Sequence, residues 1–404
     1  MKRIGHTVGF VFICRLLILA QVYKADFTEW KVQLYNDSGR AFPLRWLWKP
    51  NPAELILCNA EERISCTRIS RYNDSTIIEL PVFQTELRLQ MSDTVWKGFW
   101  INRYKTNPVA MRLEGRRQKQ HVHSDTALAA FIKGDWVLTW DDSTEALARF
   151  FWNARTQMLS GTVLTETGDY RYLEGQIQQG HLQMTAFDGL HAFLFEGNLP
   201  ASNTQPLQLK GRFYSGPGHF QSWKAQRKPG FSLANPETLT QSRTNEPLHF
   251  TFTGLDGTPC NLDDKQFKNK AVIIQIMGSW CPNCMDESRY FATLYPRFAA
   301  EGLEIIALAF EKSDRFEQAQ AGLLKMRRDL QLPYTLLYAG SSQKIKASKQ
   351  LPWLTEIKAY PTTLFLNRQH CIVATHTGFS GPATGTTFIQ YCQRTERIIQ
   401  KLLK

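Results

Sequence analysis

The spacing of apolar residues changes character near residue 228. Before this point, apolar positions alternate with polar ones or form short runs, and turns containing Asn, Asp and Gly separate them. This pattern is typical of short β-strands. We therefore expect 26–227 to be an all-β, largely antiparallel region, built as a sandwich or a barrel, and the pattern is compatible with two subdomains that divide near 115–130. Strands are predicted at 32–35, 77–80, 87–91 and 96–101, a hairpin around Asp188-Gly189, and either a short helix or a strand at 127–132.

After a linker at 228–247, which holds three prolines and few apolar residues, strands and helices alternate over 248–404. A buried strand is predicted at 271–277, because seven successive residues there are almost all apolar. The order of elements predicts an α/β domain with a central mixed sheet flanked by helices. The remaining predictions are an entry hairpin at 250–259, helices at 282–300, 315–330, 343–354 and 386–402, and strands at 303–310, 334–338, 362–366 and 371–376.

The first 25 residues have the pattern of an export signal. Lys2 and Arg3 precede a mostly apolar run that extends to Ala20, and this run is too short for a comfortable membrane span. We expect 1–25 to be a signal that is cleaved or is retained as an anchor. The rest of the chain would then work in an extracytoplasmic compartment, the periplasm or the cell envelope.

The chemistry with the clearest pattern lies directly after the strand predicted at 271–277. Residues 278–284 read Gly-Ser-Trp-Cys-Pro-Asn-Cys at the predicted start of a helix. Two thiols at this spacing can close reversibly into a disulfide, and the helix dipole stabilises a thiolate at Cys281. Cys284, one turn inside the helix, would be the resolving thiol, and Trp280 would shield one side of the sulfur pair. A zinc site would need a second pair of ligands, and a c-type haem would need His in place of Met285, so no metal and no cofactor are predicted.

A second motif, Tyr360-Pro361-Thr362-Thr363, precedes a strand late in the domain. Together with the dithiol motif it makes residues 248–404 resemble the TlpA/ResA-like branch of the thioredoxin superfamily, which contains extracytoplasmic thiol–disulfide oxidoreductases that are often reductases. Over the first 200 residues the similarity is loose. The residues that carry the resemblance are 255–259, 271–284, Glu287 and 360–363.

The resemblance implies a thioredoxin-like fold and several roles. Pro361 would be a cis-proline that faces the dithiol, and the backbone of Tyr360 would pair with an extended substrate. Trp280 and Pro282 would also contact substrate. Glu287 would be the acidic residue that modulates the thiol pKa values, with an ordinary exposed helix residue as the alternative. Gln275 stands where cytoplasmic thioredoxins carry a buried Asp.

The leading hypothesis is an enzyme that reduces disulfides in other proteins, with an electron donor in the membrane and a possible N-terminal tether as further partners. The same residues would also serve a disulfide oxidase or isomerase. A hypothesis of another class is a binding protein, in which the β-rich region captures a partner and the dithiol is subsidiary. The net charge of +12 is scattered and no nucleic-acid motif accompanies it, so we expect no nucleic-acid partner. Cys58 and Cys66 are left open as a hairpin disulfide or as two buried thiols.

Overall fold

The computed structural model describes residues 26–104, 108–118, 124–199 and 208–404, so the predicted export signal or anchor at 1–25 lies outside the described residues. The first part of the chain forms an open, antiparallel sheet of nine strands in the order β4-β3-β2-β1-β9-β8-β7-β6-β5. In β1, every second residue from Trp30 to Leu34 is buried, so that one face of the sheet is apolar. The strands are β1 (Thr28–Tyr35), β2 (Ala41–Pro50), β3 (Ala53–Asn59), β4 (Glu62–Cys66), β5 (Ile69–Tyr72), β6 (Ser75–Glu79), β7 (Thr85–Met91), β8 (Val95–Asn102) and β9 (Val109–Arg117).

A short helix, α1 (Thr126–Ile132), leads into a second antiparallel sheet, which resolves the helix-or-strand ambiguity at 127–132. Because β11 pairs with both β10 and β12, eight of its strands close into a barrel, and β13 extends it at β12. Closure removes the exposed edges that an open sheet would leave. The strands are β10 (Gly134–Trp140), β11 (Glu145–Asn153), β12 (Met158–Thr165), β13 (Gly168–Asp169), β14 (Leu173–Gln178), β15 (His181–Phe187), β16 (Ala192–Asn198), β17 (Gln208–Ser215) and β18 (His219–Gln226).

The apolar face of the first sheet covers the outside of the barrel. Phe187, Leu194 and Tyr214 of the barrel belong to the same buried cluster as Trp30 and Trp46 of the sheet. A bidentate pair between Arg45 and Glu174, with N–O distances of 2.7 and 2.6 Å, also joins the two sheets. The nine-stranded sheet and the barrel therefore share a hydrophobic core.

The last part of the chain forms a mixed sheet of seven strands in the order β20-β19-β23-β22-β21-β24-β25, with β21, β22 and β23 parallel. This agrees with the predicted α/β, thioredoxin-like arrangement. The strands are β19 (Thr251–Gly254), β20 (Pro259–Asn261), β21 (Ala271–Met277), β22 (Leu303–Glu311), β23 (Thr335–Ser341), β24 (Thr362–Leu366) and β25 (Ile372–Thr377), and the helices are α2 (Pro282–Phe298), α3 (Phe316–Leu330), α4 (Lys344–Gln350) and α5 (Thr386–Leu403).

Both faces of this sheet are buried. Residues of α2, α3 and α5 pack with alternate residues of β21 and β22 on one face, and α4 packs with the segment before β21 on the other. This explains why β21 reads as a continuous apolar run, since a strand covered on both faces has no solvent side. No helix in the described part of the chain is long and apolar enough to cross a membrane.

The cysteines of the first sheet do not pair. On the β3–β4 hairpin, Cys58 lies opposite Arg63 and Cys66 lies opposite Leu55, so the strand register keeps the two thiols apart. Both are free and buried, and burial raises the pKa of Cys66 to about 12. They act as small apolar residues in the core, which settles the alternative that the sequence left open.

Candidate dithiol site

The dithiol lies at the start of α2, directly after the end of β21. Cys281 is the N-cap of α2, and its sulfur accepts from the backbone N–H of Cys284 at 3.2 Å. Pro282 occupies the first turn, where its missing N–H costs no helical hydrogen bond. Cys281 and Cys284 form a disulfide, and both are buried, with Cys281 6% exposed and Cys284 closed off. The helix end therefore points its free amides at Cys281, where they would stabilise a thiolate.

The second motif meets the dithiol in space. The Tyr360–Pro361 peptide bond is cis, and the carbonyl oxygen of Tyr360 lies 3.4 Å from the sulfur of Cys281. Pro361 is buried and Tyr360 is half-buried. The backbone of residue 360 thus lies directly beside the sulfur of Cys281.

Trp280 covers the other flank of the cysteine pair. Its Nε1 donates to the carbonyl oxygen of Phe310 at 2.9 Å, and its ring packs edge-on against Tyr360 with centroids 5.5 Å apart. The ammonium of Lys312 lies 3.6 Å from the centre of the Trp280 ring, a cation–π contact. Both sides of the Trp280 ring system are therefore held in place next to Cys281.

Glu287 is buried under the dithiol, so the alternative of an exposed helix residue is wrong. Its carboxylate accepts from Gln275 Nε2 at 2.9 Å and from the hydroxyls of Thr363 and Tyr391, each at 2.7 Å. Burial raises its pKa to about 7, although these three donors oppose the shift. Gln275 Nε2 also lies 3.4 Å from the carbonyl oxygen of Cys284, so one amide links the carboxyl group to the inner cysteine.

A second buried carboxyl group, Glu311, lies on the opposite side of the motif. It ends β22 and accepts from the backbone N–H of Ser279 at 2.7 Å and from the Ser279 hydroxyl at 2.8 Å. Burial raises its pKa to about 7 as well. Glu311 was not predicted from the sequence, although a signal was present: a Glu at the end of an apolar parallel strand lies at the carboxyl edge of the sheet, where the adjacent strand leads into the dithiol motif.

Arg171 of the barrel contacts the dithiol helix, and it too was not predicted from the sequence. Arg171 is 3% exposed and forms close ion pairs with Asp286 of α2 and with Glu62 of the first sheet. Its guanidinium also lies 3.4 Å from the carbonyl oxygen of Pro282. No local pattern could have found this pairing, because 115 residues separate Arg171 from Asp286.

The turn between β12 and β13 lies on the loop between the two cysteines. With its amide oriented to satisfy both partners, Asn283 accepts from the N–H of Asp169 at 3.1 Å and donates to its carbonyl at 3.3 Å. A Cβ atom on Gly168 would overlap the Asn283 amide, so only glycine allows this approach. Asp169 in turn accepts from the backbone N–H of Gly381, in the loop before α5. The loop 378–385 is thus packed against the barrel.

Chemically, this arrangement suits two-electron exchange at the sulfur pair. A disulfide, a helix N-terminus and two carboxyl groups that titrate near neutrality surround one sulfur pair. No cluster of three or more His, Cys, Asp or Glu side chains suited to a metal is found among the residues that the structure describes.

The C-terminal part of the chain, which contains the dithiol, is similar to known proteins. A Redoxin family model matches residues 243–387, so this C-terminal part contains a Redoxin domain. The thiol-disulfide oxidoreductase ResA of Bacillus thuringiensis subsp. konkukian is 39% identical over 69 residues, which cover 17% of this chain and 39% of that protein. ResA of Bacillus cereus is 35% identical over 91 residues, 22% of this chain and 49% of the relative. The C-terminal region is thus similar to ResA, and the chain spans less than half the length of these two relatives.

Solved structures also align with part of the chain. A putative thiol:disulfide interchange protein DsbE from Chlorobium tepidum is 18% identical with a TM-score of 0.31, and covers 40% of this chain and 96% of its own. A secreted thiol-disulfide isomerase from Corynebacterium glutamicum is 19% identical with a TM-score of 0.32, and covers 42% of this chain and 98% of its own.

Proposed function

We propose that the protein is an extracytoplasmic thiol–disulfide oxidoreductase that reduces disulfides in other proteins. One observation carries the proposal: the sulfur of Cys281 caps α2 and lies 3.4 Å from the backbone carbonyl of Tyr360, beside the cis bond to Pro361. A nucleophile and a backbone edge for an extended substrate are thus side by side. In this proposal residues 248–404 are the catalytic domain, 228–247 the linker and 26–227 an accessory β region.

The reaction begins from the dithiol form. The Cys281 thiolate attacks one sulfur of the substrate disulfide, which forms a mixed disulfide and releases one substrate thiolate. The Cys284 thiolate then attacks the sulfur of Cys281, closes the Cys281–Cys284 disulfide and releases the second substrate thiolate. The substrate gains two electrons and the dithiol loses two, so a reduced dithiol on a donor protein must restore it.

Four residues would position the substrate. The backbone of Tyr360 offers hydrogen bonds to an extended segment, as in the addition of a strand to a sheet edge. Pro361 keeps that backbone beside Cys281, while Trp280 and Pro282 form the apolar surface around the sulfur. Support for these roles comes from their position within one small surface of the molecule.

Glu287 is proposed to exchange a proton with Cys284. Cys284 is a thiol before it attacks, and it must lose its proton to become nucleophilic. A carboxyl group with a pKa near 7 can accept that proton at neutral pH, and Gln275 connects it to the backbone of Cys284. Glu287 would then act through the inner cysteine rather than on the substrate.

Location and partners complete the proposal. The pattern of residues 1–25 supports export with a cleaved or retained signal, and a donor protein in the membrane would be the natural source of electrons outside the cytoplasm. The oxidase or isomerase direction uses the same residues, and the midpoint potential of the dithiol distinguishes them.

The first experiment is to equilibrate the protein with dithiothreitol or glutathione buffers and to measure the midpoint potential of the dithiol. A value near that of thioredoxin, about −270 mV, is expected for a reductase, and a value nearer −120 mV would make the protein an oxidant. Cys281→Ser should abolish the transition. Cys260→Ser, which changes a half-buried free thiol of the same domain, should leave it intact. The absence of a reversible two-electron transition would refute the proposal.

The role of Glu287 is tested with Glu287→Gln. We expect release of substrate from the mixed disulfide to slow by about 100-fold, the lower range for general acid–base catalysis. In the unaltered protein this step should accelerate as the pH rises through about 7, because Glu287 accepts a proton only when it is ionised. An identical pH profile in the variant would exclude Glu287 from proton transfer.

A further inference from the structure

A groove runs between the barrel and the dithiol domain, and both contribute side chains to it. It has a volume of about 610 Å³, within the range of sites that enclose a ligand. On the dithiol side it is lined by Asn283, which lies between the two cysteines, and by Tyr360, whose carbonyl is 3.4 Å from the sulfur of Cys281. Whatever occupies the groove therefore lies next to the reactive sulfur.

The barrel side of the groove is an aromatic wall made of Tyr170, His191, Phe193 and Phe213. His191 and Phe193 stack with centroids 5.2 Å apart and an interplanar angle of 10°, and Tyr170 meets Phe193 edge-on at 5.1 Å. Phe193 also packs against Phe213 at 5.7 Å. The mutual contacts hold the wall rigid, yet Tyr170, His191 and Phe193 are only half-buried and keep a free face toward the groove.

The dithiol side adds positive charge. Lys344 and Lys358 both line the groove, and the Lys344 ammonium donates to the Lys358 carbonyl oxygen at 3.0 Å. In the described ranges of the chain neither lysine forms an ion pair with a carboxylate. Of the two acidic residues in the lining, Asp169 is buried and bonded to Gly381, and Asp142 accepts from the Thr144 hydroxyl at 2.6 Å. Lys344 and Lys358 are therefore the two positively charged side chains that the groove offers to an acidic group on a ligand.

We propose that this groove binds an extended polypeptide segment around the disulfide cysteine of the substrate, with an aromatic residue beside the cysteine on the aromatic wall and an acidic residue near Lys344 and Lys358. The inference rests on the proposed function and gives it a substrate class. The β region would then select substrates: its wall contacts the residues that flank the cysteine, while Cys281 attacks the disulfide.

The test compares three disulfides as substrates of the full chain in its reduced form. The first is a synthetic peptide disulfide with Phe next to one cysteine and Glu close by. The second is the same peptide with Ala and Gln at those positions. The third is 2-hydroxyethyl disulfide, which is too small to reach the wall. We expect kcat/KM for the Phe/Glu peptide to exceed that for the Ala/Gln peptide by about tenfold or more, since one aromatic contact alone accounts for up to about tenfold.

Two variants then locate this preference. Phe193→Ala should remove most of it and leave the rate with 2-hydroxyethyl disulfide unchanged. Phe220→Ala is the matched control, because Phe220 is a 61% exposed aromatic residue of the same barrel that does not line the groove. Thermal unfolding of both variants verifies that they fold, and the comparison of peptides on the unaltered protein needs no variant.

The outcomes separate the two proposals. If 2-hydroxyethyl disulfide is reduced but the two peptides react equally, or if Phe220→Ala loses the preference as fully as Phe193→Ala, the groove inference is wrong and the oxidoreductase function stands. If the dithiol reduces none of the three disulfides, the proposed function fails, and the substrate groove fails with it.

Discussion

Two ionic joints hold the β region against the C-terminal domain, and they differ in their access to water. The active-site joint consists of Arg171, Glu62, Asp169 and Asp286, and Arg171 within it has a side chain only 3% exposed. The distal joint consists of Arg68 and Asp329, with two N–O contacts of 2.8 and 2.6 Å, and the Arg68 side chain is 38% exposed. A buried guanidinium depends on its partners far more than one that water can solvate.

The carboxyl groups of the two joints also respond oppositely to their surroundings. Burial raises the pKa of Asp169 to about 6, and hydrogen bonds from Gly381 and Arg171 only partly offset it. At Asp329 burial acts in the same direction, but bonds from Arg68 and the N–H of Val82 outweigh it and hold the pKa of Asp329 below its usual range. The joint beside the dithiol therefore buries its cation as well as its carboxylates, whereas the distal joint buries the Asp329 carboxylate but leaves the Arg68 guanidinium partly open to water.

The largest expected effect is that of Arg171→Met. Removal of the cation takes Arg171 away from the buried carboxylates of Glu62 and Asp286 and leaves Asp286 with only the partly exposed Arg289 at 3.3 Å. Breaking such a buried pair costs about 3–5 kcal/mol. We expect a loss of that size in the free energy of unfolding, measured by urea denaturation of the full chain. A loss no greater than that of a solvent-exposed pair would contradict the buried character of this joint.

The next effect is a difference in pH dependence. The pKa of Asp169 is raised in the folded protein, so its protonation stabilises the fold. This contribution to the free energy of unfolding is complete below about pH 4 and is lost as the pH rises through about 6, a change of roughly 2–3 kcal/mol. Asp329 has a lowered pKa, so its contribution is complete above about pH 4 and is lost at lower pH. Urea midpoints between pH 3 and 8 should show that Asp169→Asn flattens the neutral side of the stability profile and Asp329→Asn the acid side. If both variants changed the pH dependence of stability in the same way, the two joints would not differ in the pH response of their carboxyl groups.

A smaller loss is expected for Arg68→Met. Because the Arg68 side chain is partly solvated, and Lys325 and Arg328 remain within 3.4 and 3.0 Å of Asp329, we expect about 1 kcal/mol or less. The same urea experiment measures it, with Arg171→Met alongside. A loss above about 3 kcal/mol would show that the distal joint is as dependent on its cation as the other one.

The smallest effect sharpens the comparison at the dithiol itself. Arg171 brings positive charge to the first turn of α2, so Arg171→Met should disfavour the Cys281 thiolate and therefore the reduced form. We expect the midpoint potential to become more negative by about 10–30 mV, where 30 mV corresponds to about 1.4 kcal/mol. Arg68→Met is the control and should leave the potential unchanged. A shift of the same size in both variants would indicate an effect of domain docking rather than of local charge.

The parts of the fold that could be predicted from the sequence are those that depend on a local pattern of residues. The strand at 271–277 matches β21 residue for residue, because a run of apolar residues buried on both faces is a strong local signal. The β-rich, antiparallel character of 26–227 was also readable from alternation, although the region contains the short helix α1. Closure of the second sheet into a barrel was not, since it depends on the pairing of β11 with β12 and on the return of β18 to β10.

The candidate site divides in the same way. The residue pattern alone indicated Cys281 and Cys284 as a redox pair, because a dithiol at a helix start is a local feature. The roles of Tyr360 and Pro361 came from the resemblance to the thioredoxin superfamily. Glu287 was selected by resemblance, but its burial and its three donors come from β21, β24 and α5, which only the packed domain brings together.

What the sequence determined by itself is therefore the dithiol, the elements that present it and the class of chemistry it supports, all of which depend on residues near one another in the chain. Only the tertiary structure decided that a barrel and a nine-stranded sheet close around that dithiol, that Arg171 reaches α2, and that an aromatic wall faces Tyr360. Contacts across more than a hundred residues depend on strand register, sheet closure and the docking of one folded surface on another. None of these leaves a periodic signal in the sequence, because either partner alone is an ordinary polar or aromatic residue.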